Sequence, residues 1–177
     1  MQIANQFSFV IFGALTLIGL IGFLILCRVR WQIVTVAGLS FIALFVATFL
    51  LLRPGASDVD TLAEAEAMLT NGQPTLLEFF SNYCTGCLLV RPAVDQLVAE
   101  IDAQYNGSFN LLRVDIHTPV GRALRERYGF SFTPEFILFN HDGREVWRSH
   151  VPPTGQEIPR LLTHAAESAA HRLTFAS

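Results

Sequence analysis

Two long runs without a charged side chain dominate the amino-terminal third of this 177-residue chain. Residues 1–27 carry no charge, and Phe7 to Cys27 is almost wholly apolar. Trp31 to Leu52 is a second uncharged run, of 22 residues. At about 1.5 Å per residue, each run taken as a helix matches a hydrocarbon layer roughly 30 Å thick. Only Arg28-Val29-Arg30 lies between them, room for a tight hairpin and nothing more. The expected arrangement over 1–54 is a two-helix transmembrane hairpin in contact with membrane lipid, with helices at about 7–27 and 31–52. Glycines at 13, 19, 22 and 38 suit close helix approach, and Cys27 reads as a small packing residue. A cleaved signal peptide fits less well: no basic segment leads the first run, and no clear small-residue cleavage site follows it.

Charge divides the chain at the same place. All 15 acidic residues lie from Asp58 onward, whereas the first 54 residues carry only Arg28, Arg30 and Arg53. The hairpin loop thus holds two arginines against one at the far end. The positive-inside tendency then puts the loop in the cytoplasm and residues 55–177 on the non-cytoplasmic side, a periplasm, extracellular space or lumen. No region is basic enough for nucleic acid.

Arg53-Pro54-Gly55-Ala56-Ser57 reads as a linker. Thr61 and Glu64 have capping-box spacing at the start of a helix, and Asn71-Gly72 closes it. Thr75 to Phe80 reads as a buried strand interrupted by Glu78. A long helix is expected from about Cys87 to Tyr105, a strand over Phe109 to Val114, and a helix over Val120 to Tyr128. Strands at Phe136 to Phe139 and Glu145 to Arg148 flank the turn signal Asp142-Gly143. A last helix is expected from about Gln156 to His171. This order implies an α/β fold with a mixed four-stranded sheet and helices on both faces.

The chemistry-bearing motif is Cys84-Thr85-Gly86-Cys87, between a buried strand and a helix. Two intervening residues let the sulfurs meet in one small disulfide loop. At a helix amino terminus the free N–H groups favour a thiolate. Cys84 is then expected to be the exposed nucleophile and Cys87 the residue that resolves a mixed disulfide. Gly86 lets the backbone approach the sulfurs, and Thr85 has a hydroxyl to offer Cys84. Half a zinc site or an inert disulfide are the plainer readings, but zinc needs more ligands and no second CxxC or HxxxH is present. His117, His141, His150, His164 and His171 show no ligand spacing and read as surface residues, which leaves neither a metal site nor copper delivery.

Residues 58–172 resemble the thioredoxin family. The resemblance is carried by Leu77-Glu78-Phe79-Phe80-Ser81-Asn82-Tyr83-Cys84, by Pro92 five residues after Cys87, by Arg113-Val114-Asp115, and by Tyr128-Gly129-Phe130-Ser131-Phe132-Thr133-Pro134. It implies a thioredoxin-like domain over 55–177 with a redox-active disulfide in place of any bound cofactor. It implies that Glu78 is a buried acid of raised pKa that exchanges protons with Cys87. It further implies that Pro134 is cis beside the dithiol, and that Tyr83, Thr85, Gly86 and Thr133 contact substrate. The departures are Tyr83 in place of a tryptophan, Thr85-Gly86 in place of Gly-Pro, Glu135 after the proline, and Leu111 where a lysine usually neighbours the buried acid.

With its anchor, the chain is similar to the tethered thiol reductases of cytochrome c maturation and of thylakoids. This implies a membrane-anchored thiol–disulfide oxidoreductase acting on disulfide-containing exported proteins, with apocytochrome c one candidate. The hairpin holds only Cys27, so it cannot relay dithiol electrons, and a reductase of this design needs a separate transmembrane electron donor. The alternative is an accessory structural subunit that docks other subunits of a larger membrane complex. A Cys84 buried under a partner would favour it.

Overall fold

The computed structural model describes residues 2–164. Its elements are α1 (Gln2–Gln6), α2 (Ser8–Leu26), α3 (Trp31–Leu52), α4 (Leu62–Thr70), β1 (Thr75–Phe80), α5 (Thr85–Tyr105), β2 (Asn110–Asp115), α6 (Pro119–Tyr128), β3 (Glu135–Phe139) and β4 (Glu145–Ser149). Residues 157–164 are helical. The rest of the expected last helix, His171 included, lies outside the described residues.

The four strands form one sheet in the order β2-β1-β3-β4. β1 pairs parallel with β2 and antiparallel with β3, and β4 closes the sheet antiparallel to β3. Side chains alternate across β1, because successive Cβ atoms point to opposite faces. Leu77 and Phe79 pack with Leu112, Val114, Ala65, Leu69 and Leu124 beneath α4 and α6. Leu76 faces the other way, against Val94, Leu97 and Ile101 of α5. The same alternation puts Glu78 and Phe80 on the α5 face, and Phe80 clusters there with Cys84 and Cys87. The expected capping box is present: Thr61 Oγ1 accepts from the Glu64 N–H, and Glu64 reaches back to the Thr61 N–H.

The helices α2 and α3 are both long and apolar enough to cross a membrane. They leave large apolar side chains uncovered along their length, among them Phe12, Leu26, Leu39 and Leu51. Of the four glycines expected to bring them together, only Gly13 does so: a Cβ there would overlap the Phe45 ring. Gly19, Gly22 and Gly38 have nothing within 4 Å of where a Cβ would stand, since they point away from the seam. Cys27 is likewise not packed; it follows the last turn of α2 with its side chain exposed. The first span begins at Ser8, within a residue of the expected start, and Phe7, outside helical geometry, separates it from the short α1.

The free ends of the hairpin meet the domain. Arg91 Nη1 donates to the carbonyls of Leu51 (2.8 Å) and Arg53 (2.6 Å), which α3 leaves without helical partners. Asn82 grips the linker from both sides, accepting from Gly55 N at 2.9 Å and donating to Gly55 O at 2.7 Å.

Candidate functional site: a dithiol at the amino terminus of α5

Cys84 caps α5 in extended backbone geometry, and the helix begins at Thr85, two residues before the expected start. Cys87 therefore lies inside the first turn, where its backbone N–H and that of Gly86 point at Cys84 Sγ. These groups favour an anion on Cys84. Its thiol is lowered from 9.0 to about 5, chiefly by the hydrogen bond from the Cys87 thiol, and by these N–H groups against the opposing effect of burial. Cys87 moves the other way: its hydrogen bond to Cys84 and its own burial hold the proton on. The two identical side chains are thus driven apart, one a thiolate at neutral pH and one a thiol. Ser81 N donates to Cys87 Sγ at 3.5 Å, and Cys84 Sγ lies 3.5 Å from the Thr133 carbonyl.

The Thr133–Pro134 peptide bond is cis, and Pro134 stands over the dithiol. Gly86 makes this possible: a Cβ there would sit 3.2 Å from Pro134 Cδ and 3.6 Å from Cys84 Sγ. Glu78 is buried beneath the pair. Burial raises its pKa, and Arg113 opposes that shift by donating from Nε to Glu78 Oε2 at 2.7 Å. The negative charge of Glu78 in turn helps keep Cys87 protonated. The cation beside the acid is therefore present. It comes from Arg113, directly across the parallel ladder from Glu78, and not from position 111. Its one trace in the sequence is an arginine set between the apolar Leu112 and Val114.

Cys84 is not the exposed nucleophile expected from the sequence. It has no accessible surface. It packs with Phe80 and Cys87, and the groups around it are engaged by residues 5–9, which in the sequence are only the flank of an apolar run. Asn5 Oδ1 accepts from Thr133 N (3.0 Å) and from Thr133 Oγ1 (2.9 Å). Ser8 Oγ accepts from Thr85 N (3.0 Å) and donates to Thr85 Oγ1 (3.2 Å), so the Thr85 hydroxyl turns to Ser8 rather than to Cys84. Ser81 Oγ donates to the Gln6 carbonyl (3.0 Å). Tyr83 is stacked between Phe7 (5.6 Å) and Phe49 (5.9 Å).

Two of the histidines without ligand spacing flank the site. His117 Nε2 lies 3.0 Å from Ser81 Oγ, with its ring 5.1 Å from Phe7. His150 Nδ1 lies 2.8 Å from the Pro134 carbonyl, and its ring stacks on Phe132 at 3.6 Å. Glu135, also unusual for its place, is buried with Arg148 Nη1 at 3.1 Å and Ser131 Oγ at 2.9 Å. No group of three or more metal-ligating side chains occurs among the described residues.

The thioredoxin family model matches residues 58–160. A thiol:disulfide interchange protein TxlA homolog from Synechocystis is 30% identical over 68% of this chain and 66% of its own length. The chloroplastic thioredoxin-like protein HCF164 of Arabidopsis thaliana is 27% identical over 64% of this chain and 42% of that protein. The matches therefore span under two thirds of either relative. A solved mutant thioredoxin from Halobacterium salinarum superposes with a TM-score of 0.45 at 20% identity, over 60% of this chain and 87% of that one. The chain belongs to the thioredoxin family.

Proposed function

We propose that the chain is a membrane-anchored thiol–disulfide oxidoreductase that reduces disulfides of exported proteins through Cys84 and Cys87. The observation that carries this is the opposed pull on the two thiols, Cys84 down to about 5 and Cys87 up. A resting thiolate beside a held thiol is the state from which exchange starts. The Cys84 thiolate attacks one sulfur of a substrate disulfide. The S–S bond breaks, a mixed disulfide forms, and one substrate thiolate leaves. Cys87 then gives its proton to a base, a role for Glu78, and attacks Cys84 Sγ. The second substrate thiolate leaves, two electrons have passed to the substrate, and the protein holds a Cys84–Cys87 disulfide. No cofactor takes part. A separate transmembrane donor returns the electrons, since Cys27 stands alone in the hairpin. The anchor reading rests on α2 and α3, the non-cytoplasmic side on the arginine bias, and a role in cytochrome c biogenesis with apocytochrome c as substrate on family resemblance.

The complete burial of Cys84 favours a second reading, an accessory subunit that uses the fold for docking within a membrane complex. The two part in one assay. The full chain in detergent micelles, supplied with a small-molecule dithiol, reduces a protein disulfide faster than Cys84→Ser. Activity no higher than that of Cys84→Ser, in the wild type and in Asn5→Ala alike, sinks the exchange reading.

A further inference from the structure

Cys84 packs against Phe80 and Cys87 and lies beside the Thr133 carbonyl, and the rim around it is engaged by the amino-terminal segment with specific chemistry. Each of residues 5 to 9 engages the rim of the dithiol. Asn5 takes both the N–H and the hydroxyl of Thr133. The Gln6 carbonyl takes the Ser81 hydroxyl, and Gln6 is itself buried. The Phe7 ring fills the space between Tyr83 and His117. Ser8 takes the Thr85 N–H, and Phe9 N donates to the Tyr83 carbonyl at 3.0 Å. These are backbone and hydroxyl groups that an incoming polypeptide would need in order to lay its disulfide against Cys84 Sγ. A helix that merely ran on into α2 would have left them to water. Instead the chain breaks at Phe7, and α1 folds across the site.

We infer that residues 2–9 are an intramolecular cover that occupies the polypeptide-binding rim of the dithiol, so that Cys84 is latent until a substrate or partner displaces the segment. Phe7 is the hinge, because it alone departs from helical geometry between α1 and α2. Swinging α1 about Phe7 needs no movement of the long helices, and releasing Ser8 and Phe9, which belong to α2, frays only its first turn. It exchanges the side-chain amide of Asn5 for another acceptor at Thr133 and lifts the Phe7 ring off Tyr83. The rate at which Cys84 reacts is then its intrinsic rate multiplied by the open fraction. A covered site has functional meaning only for a dithiol that exchanges, so this rests on the exchange reading, but it can be tested on the thiol itself.

The experiment uses the full chain with Cys27→Ser, reduced, in detergent micelles at neutral pH, and iodoacetamide as the probe. Cys87 holds its proton and stays silent, so alkylation reports Cys84. Asn5→Ala removes an acceptor shared by two hydrogen bonds and is expected to speed alkylation about tenfold. Ser8→Ala, which acts at the opposite rim, is expected to change the rate in the same direction. Neither residue lies in the domain core, and equal thermal unfolding of both variants and the parent separates opening from misfolding. Alkylation of the parent as fast as that of both variants overturns the cover. The same samples are then assayed for reduction of a protein disulfide. Faster alkylation without disulfide reduction keeps the cover and removes the exchange function. Equal alkylation of all three, with disulfide reduction by the parent that neither variant exceeds, removes the cover and keeps the exchange function.

Discussion

Replacing Cys87 by alanine removes the hydrogen bond that does most to hold Cys84 as a thiolate, and its effect can be sized from the site. Cys84 sits at about 5 instead of 9.0, with the Cys87 thiol the largest cause. The N–H groups of Gly86 and of residue 87 remain in the variant, because they belong to the backbone of α5. A hydrogen bond to a charged group contributes about 1.5–3 kcal/mol net. At about 1.36 kcal/mol per pH unit, its loss moves the Cys84 midpoint upward by about one to two pH units. The assay is ultraviolet thiolate absorbance of the reduced chain, in the Cys27→Ser background, followed across the acid and neutral range. Absorbance is preferred to alkylation here, since it does not require a reagent to pass residues 2–9. A midpoint in Cys87→Ala equal to that of the parent would falsify the assignment of the thiolate to Cys87. Folding stability carries the same signature. A group whose pKa is depressed by folding stabilises the reduced protein fully above its unfolded value. That contribution falls away as pH drops from about 9 through about 5. Cys87→Ala should narrow this window from its lower edge.

Two further outcomes follow from the buried pair and the hairpin. Arg113→Met leaves Glu78 buried without its counter-charge and is expected to cost about 3–5 kcal/mol in denaturant unfolding; the double variant Glu78→Gln/Arg113→Met should recover most of that, and simple additivity of the two single changes would show that the pair is not coupled. In sealed membranes, an exposed thiol introduced on α5 by Ala103→Cys, with Cys27→Ser, should react with a membrane-impermeant reagent from the non-cytoplasmic side; labelling only from the cytoplasmic side would reverse the orientation.

The parts of the fold that follow from local pattern are legible without coordinates. The buried run around Glu78, the turn at Asp142-Gly143 and the capping box at Thr61 each depend on residues within a few positions of one another. The observed strand and helix limits differ from those expectations by a residue or two. The dithiol is legible for the same reason, as a local spacing between a strand and a helix. What stays hidden depends on register or on distant contact. Arg113 meets Glu78 only because a parallel ladder places them opposite each other. Nothing in the periodicity of either strand specifies that offset. Asn5 and Thr133 are 128 positions apart, and Ser8 and Thr85 are 77 apart. Their polarity is visible, but at the edge of an apolar run a few polar residues read as a solvated flank. His117 and His150 escape a search for ligand spacing. Their neighbours are Ser81 Oγ and the Pro134 carbonyl, which no sequence interval reveals.

The linker between hairpin and domain has a consequence for reach. Five residues from Arg53 to Ser57 could span about 17 Å if they hung free. They do not hang free. Asn82 grips Gly55, Ser57 Oγ accepts from Asp115 N at 2.9 Å, and Arg91 is bonded to the last carbonyls of α3. The dithiol is therefore held at one height above the end of the hairpin, like a stylus on a short rigid arm. In the proposed exchange it does not sweep outward to meet a disulfide; the disulfide is delivered to it. Under the proposed exchange, selection by this chain is partly a matter of altitude. Two partners with identical local sequence around their cysteines would be told apart by how far from the hairpin each one carries them.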